Sequence, residues 1–341
     1  MSFQPDYHNL LDAANNREAK RLPLYEHIIS NSVMGAILGE DLGRLDRASY
    51  FRRFCRFFRE MGYDTVSYEC CITSVLPGGG ALGRHVDGAI HTRGDFEAYP
   101  WDKLEDLYFS RFSREFDALR DAMPDGMLAV GGVGNGIFEI AQDLVGYIDL
   151  CYMKADDPAL YGDLFRKVGD VVVSIWERFL AGWGDVYCVC RMGDDLGFKS
   201  TTLISDGDIR DHIIPQYKRV IGVIHAAGKP FLLHSCGNIF NVMDDLIGAG
   251  IDAKHSNEDQ IAPFPVWVER YGDRIGNFGG IDTDAVCRLP EKEMRKYIED
   301  VIGACSGHGG FAFGSGNSIP DYVPAGQFLR MNRIVREIRG E

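Results

Sequence analysis

Residues 209–237 read IRDHIIPQYKRVIGVIHAAGKPFLLHSCG. Ile209, Ile213, Tyr217, Val220, Ile221 and Ile224 recur mostly at spacings of three and four, which predicts a helix over Ile209 to Ala227 with one apolar stripe. Gly228-Lys229-Pro230 stops it, because glycine terminates a helix readily and proline cannot extend one. Phe231-Leu232-Leu233 is continuously apolar, as a parallel strand covered on both faces must be, and polar groups begin at His234. A helix that packs on a sheet, a sharp break and a buried parallel strand together form the repeating unit of an α/β fold.

The same alternation extends in both directions. Strands are expected at Leu22 to Ile28, Thr65 to Glu69, Met127 to Val133, Asp185 to Arg191, Pro230 to His234, Ile251 to Ser256, Arg274 to Gly280 and Gly310 to Gly314. Helices are expected at Arg47 to Met61, Pro158 to Ala181, Ile239 to Ala249 and Glu291 to Cys305 as well. Eight strands alternating with helices favour a (β/α)8 TIM barrel, a single domain over residues 1–341 with an N-terminal helical extension of about residues 1–20. A doubly wound sheet shares this spacing, so the count of eight is what favours the barrel. The longest interruption, Ile72 to Tyr99, contains Pro77-Gly78-Gly79-Gly80 and two histidines, His85 and His91, read as solvated or lid residues.

Composition narrows the function classes. The 341 residues hold 36 Lys+Arg against 50 Asp+Glu, a formal charge of −14, with an isoelectric point near 5.1. A nucleic-acid binder needs a basic face, and the arginines of the Arg47 to Met61 helix are diluted by acids. No stretch approaches the roughly 20 apolar residues of a membrane helix, and the polar N-terminus has no signal-peptide core. A cytoplasmic location is expected, with no nucleic-acid or membrane partner. The nine cysteines are an odd number, which suggests reduced thiols.

In a parallel barrel the active site is built at the C-terminal strand ends. Those ends carry Glu26 and His27, Glu69-Cys70, Gly134-Asn135, Asp194-Asp195, His234 to Gly237, His255 to Glu258, Asp282, and Gly316-Asn317-Ser318. The sharpest signal is His234-Ser235-Cys236: an H-x-C spacing at a strand end can aim an imidazole and a thiolate at one metal ion, a donor pair suited to zinc. By spacing alone, a hydrogen-bonded histidine beside an inert buried cysteine gives the same pattern. Gly131 to Gly136 reads as a tight turn rather than a nucleotide loop, since the downstream acid of a dinucleotide fingerprint is missing. Asp194 and Asp195 suit substrate binding, orientation of His234, or helix capping equally. Tyr63, Tyr68 and Phe198 suit either an apolar pocket or the core.

Leu232 to Asn238, followed by a helix and Gly250-Ile251-Asp252, resembles the HxCG segment of the uroporphyrinogen decarboxylase superfamily, in its corrinoid and methylthiol methyltransferase branch. Gly193 to Gly197, Leu203-Ile204-Ser205 and Pro215 upstream, with Gly279 to Asp282 and Gly314 to Pro320 downstream, are similar to that branch in order, over residues 125–335. The resemblance implies a barrel in which zinc activates a thiol or assists methyl transfer involving a corrinoid protein. It implies His234 and Cys236 as zinc ligands. Thiol-activating members take a third from a cysteine after the last strand, where this chain has Ser315 or Asn317.

The third ligand is therefore expected from a carboxylate, Glu69, Asp195 or Glu258, with Glu69 assigned to the metal. Asp195 and Asn317 are assigned to catalysis, and Glu26, Asp194, Glu258 and Asp282 to substrate binding. The expected function is a zinc-dependent methyltransferase that moves a methyl group between a small methylated compound and a corrinoid partner protein. A decarboxylase-like lyase and a noncatalytic barrel binding a corrinoid or tetrapyrrole are the alternatives. Decarboxylation of uroporphyrinogen is disfavoured because the chain has Arg21-Leu22-Pro23-Leu24-Tyr25-Glu26 where an arginine-rich segment is expected, and the mouth is acidic.

Overall fold

Among the described residues, seven parallel strands form one sheet in chain order: β1 (Thr65–Cys71), β2 (Leu128–Gly134), β3 (Tyr187–Gly193), β4 (Phe231–His234), β5 (Ala253–His255), β6 (Gly276–Ile281) and β7 (Phe311–Ser315). The computed structural model describes residues 3–83 and 86–341; His85, named above, lies outside the described residues.

The expected first strand is present as a stave rather than a regular strand. Leu24 and Ile29 form parallel bridges to Phe313 and Ile319, and the Tyr25 amide donates to the Phe313 carbonyl at 2.9 Å. Pro23 offers only its carbonyl, which accepts from the Phe313 amide, so the ladder is interrupted where a proline lacks its donor. On the other side the Ser67 hydroxyl of β1 donates to the His27 carbonyl. The stave thus closes the barrel between β7 and β1. Its approach is close enough that a Cβ at Gly314 would collide with the Tyr25 carbonyl.

Helices cover the outside, among them Arg47–Glu60, Leu104–Ala122, Pro158–Trp183 and Glu291–Cys305. The apolar stripe of residues 209–226 is split: a π-helical turn, Ile209–Ile213, precedes an α-helix, Ile214–Ala226. Pro215 explains the break, since it cannot donate to the carbonyl four residues back. The expected helix from Ile239 begins as a 3-10 turn and becomes α-helical only over Met243–Ala249.

Inside the barrel, the N-terminal helix His8–Ala14 forms a floor, with Leu10, Ala13 and Ala14 fully buried beneath Val130, Val189, Leu232, Ala253, Phe278 and Ala312. Above this apolar layer the inward positions turn polar: Ser67, Glu69, Arg191, His27, His234 and His255. The closed floor leaves the C-terminal strand ends as the open face. Among the described residues, no helix is long and apolar enough to cross a membrane.

Candidate metal centre

The strand period of two decides which neighbours face the axis. On the stave, Tyr25 and His27 point inward; on β4, Leu232 and His234; on β5, Ala253 and His255. His27 stacks on His234 with ring centroids 3.8 Å apart and an interplanar angle of 9°. His234 Nδ1 lies 2.7 Å from His255 Nδ1, and His255 Nε2 lies 3.1 Å from the Ser315 carbonyl.

Beneath these rings Arg191 is fully buried. Its guanidinium pairs with Glu69 at 2.8 Å and donates to the Tyr25 hydroxyl, the His27 carbonyl and the Ser67 hydroxyl. Burial, reinforced by the charges of Lys254 and then Arg191, pushes His255 down to about 3. Burial first, then neighbouring positive charge, holds His27 and His234 well below the usual imidazole range. The rings are therefore neutral, as metal ligation requires.

At the mouth, Cys236 Sγ lies 3.5 Å from His234 Nε2, and an Asp195 carboxylate oxygen lies 3.8 Å from that nitrogen. The same Asp195 oxygen accepts the Cys236 amide at 2.8 Å, which locks the β3 and β4 loops together. One atom each from Asp195, His234 and Cys236 fall within 4.8 Å of one another. Two zinc ligands at about 2.0–2.3 Å and a tetrahedral angle stand about 3.5 Å apart, close to the separations here. His27, His234 and His255 form a second such group, but two of its nitrogens are already joined by a hydrogen bond.

The thiol is held protonated by its surroundings: burial raises it, and the Asp195 charge raises it further. A cation in the triad would oppose both effects. Two donors already face the sulfur, Asn317 Nδ2 at 3.2 Å and the Ser256 hydroxyl at 3.7 Å. A nitrogen, a sulfur and a carboxylate oxygen around one point are a donor set that fits a catalytic zinc ion.

A family model described as Uroporphyrinogen decarboxylase (URO-D) matches residues 53–338. The chain belongs to this family. The match reaches further toward the N-terminus than the segment over which the resemblance was legible. No curated protein sequence gives a match. Among solved structures, a methyltransferase from Methanosarcina mazei aligns with a TM-score of 0.70 at 12% identity, covering 97% of this chain and 98% of that one. A protein assigned as a vitamin-B12-independent methionine synthase, from Listeria monocytogenes, aligns at 0.52 with 14% identity, covering 94% and 100%. At these identities the likeness concerns the fold, a uroporphyrinogen decarboxylase-type barrel.

Within this family barrel the expected site residues divide. His234, Cys236 and Asp195 come together, and Asn317 touches the sulfur. Glu69 does not join them: its carboxylate faces the Arg191 guanidinium, and Asp195 occupies the place expected for it. Glu26 points away from the axis, accepting from the Ser315 amide and hydroxyl, so it is not at the substrate face. Asp194 is fully buried and accepts the Phe138 and Glu139 amides and the Tyr217 hydroxyl, capping the helix Ile137–Val145 rather than meeting substrate.

Glu258 and Asp282 line a cleft of about 660 Å³ together with Asn257, Asp259, Thr283 and Asn317. Asn317 therefore borders both the cleft and the thiol. Gly131 to Gly136 forms the end of β2 and a turn, with Asn135 at φ 68° bonding Thr73 and Glu139. Tyr63 and Tyr68 are core residues, Phe198 is exposed, and exposed His91 bonds the Gly88 carbonyl.

Sequence reading placed His27 and His255 at strand ends without giving them roles. It missed Arg191 and Lys254, the latter buried with its ammonium 3.6 Å from the Trp267 ring centre and pushed down to about 7 by burial. A charged residue inside an apolar strand run was the signal available for Arg191; Lys254 lies among the polar residues Asp252, His255 and Ser256, which give no such signal.

Proposed function

We propose that the chain is a zinc-dependent methyltransferase of a corrinoid system, moving a methyl group between a small methylated compound and a corrinoid partner protein. The observation that carries this reading is the convergence of His234 Nε2, Cys236 Sγ and an Asp195 oxygen at the open end of a family barrel. The Methanosarcina mazei neighbour, named as a methyltransferase, agrees with it. Zinc held there would supply Lewis acidity, either stabilising a thiolate or drawing electron density from the heteroatom that carries the methyl group.

The chain's own residues do the remaining work. Asp195 contributes negative charge and fixes the Cys236 backbone. Asn317 donates to the sulfur and faces the cleft, so it can orient the methylated compound against the metal centre. Glu258 and Asp282 form the cleft wall. The mouth accepts the partner because the floor is sealed by His8–Ala14. Uroporphyrinogen decarboxylation fits less well: the cleft carries Glu258, Asp259, Asp282 and Asp284 against Lys199 and Arg288, and Arg288 is already paired with Asp284, so a substrate rich in carboxylates would meet an excess of like charge.

Elemental analysis of protein purified without chelator tests the reading. About one zinc per chain is expected, falling sharply in His234→Ala and Cys236→Ser. Folded protein with no stoichiometric metal in any preparation would sink it and leave a metal-free lyase or a binding barrel.

A further inference from the structure

We propose that His255 is a positioning residue that fixes the tautomer of His234, presenting an unprotonated Nε2 to the metal centre. This role rests on the proposed metal site at His234, Cys236 and Asp195, whereas the hydrogen bonds that set the tautomer are present without a metal. A carbonyl oxygen can only accept, so the 3.1 Å contact between His255 Nε2 and the Ser315 carbonyl places the His255 proton on Nε2. With one proton per ring, His255 Nδ1 is then a lone pair. The 2.7 Å contact between the two Nδ1 atoms needs one proton, and only His234 can supply it. His234 is thereby protonated on Nδ1, and its Nε2 lone pair faces Cys236 and Asp195 at 3.5 and 3.8 Å.

The direction of the relay is set by a backbone atom of the last strand, which makes it insensitive to side-chain rotation. His27 contributes by stacking parallel to the His234 ring, which holds the ring plane while the hydrogen bond sets its rotation. Metal-bound histidines commonly use their second nitrogen this way, and losing that partner typically costs 10–100-fold in metal affinity. Neither His27 nor His255 touches the Cys236 sulfur in any contact described, so their effect on the metal passes through His234.

Two measurements test this. In chelator-stripped wild-type protein, long-range proton–nitrogen NMR of the imidazoles at pH 8 should show His234 carrying its proton on Nδ1 and His255 on Nε2. His234 protonated on Nε2 would overturn the relay. Zinc titration against a competing chelator should then show about 10–100-fold weaker binding in His255→Phe, which keeps ring volume without an acceptor. His255→Asn, whose amide oxygen can stand near the Nδ1 position, should recover most of the affinity; equal weakening in both variants would overturn the relay too. If the wild type has the stated tautomers yet binds no zinc, the metal reading fails while the relay stands. The NMR measurement needs no variant, so poor folding of His255→Phe leaves the proposal decidable.

Discussion

A carboxylate can ligate a metal only if its charge is not already committed to a neighbour, and this separates Asp195 from Glu69. Glu69 is almost fully buried against a fully buried Arg191, with contacts of 2.9 and 2.8 Å to the same oxygen. Asp195 is 42% exposed, its nearest cation-forming neighbour being the neutral His234. Asp195→Asn should therefore lose most bound zinc with little change in stability. Glu69→Gln should keep its zinc but lose about 3–5 kcal/mol of stability, because it strands the Arg191 charge in the interior. Metal analysis beside urea denaturation of both variants checks this, and zinc lost from Glu69→Gln alone would reverse the assignment. Sequence reading placed Glu69 at a strand end at the barrel mouth and assigned it to the metal. It could not see that Arg191, 122 residues later, claims it, because such pairing depends on strand neighbours rather than local pattern.

At the scale of elements, seven expected strands agree with the observed ones to within about two residues, because each is a short apolar run between breakers. What sequence did not show was register. Glu26 and His27 are adjacent on a stave whose pairing is interrupted at Pro23, and only the odd positions face the axis. Assigning Glu26 to substrate chose the outward neighbour. Turned outward, it holds the stave to β7 through Ser315, and burial pushes it up to about 8 from 4.5. Between those values the folded chain keeps a proton that the unfolded chain releases. Stability from this group is complete below about pH 4.5 and is lost as pH rises, by up to about 1.4 kcal/mol per pH unit, levelling off above about 8. Glu26→Gln should remove that slope and exceed the wild type in stability at pH 9. Urea midpoints at pH 5, 7 and 9 would show it; parallel curves for the two proteins would refute the assignment.

Over the whole molecule, charge and cavity shape limit the kind of compound that the proposed methyltransferase site would take. The chain carries a formal charge of −14, and the cleft beside the candidate metal centre concentrates the imbalance. Glu258, Asp259, Asp282 and Asp284 line it, against Lys199 and Arg288, each already bonded within the protein. Asn257 Nδ2, Asp259 Oδ1 and Thr283 Oγ1 in the same wall are buried without a hydrogen-bond partner, so the wall holds both donor and acceptor capacity that the fold itself does not use. An incoming carboxylate would meet like charge at close range, at a cost of about 1 kcal/mol or more per pair in a partly solvated cleft. Methylated compounds that are neutral or cationic should therefore bind about tenfold or more tightly than carboxylated ones of equal size. Calorimetric titration of a matched neutral, trimethylammonium and carboxylate series into metal-loaded protein would measure this. The gap should narrow as salt is raised from 0.02 to about 0.5 M, since screening shortens the reach of the cleft's charge. Tightest binding by the carboxylate would mean that Lys199 or Arg288 leaves its partner to meet it, and would return the tetrapyrrole-like substrates to consideration.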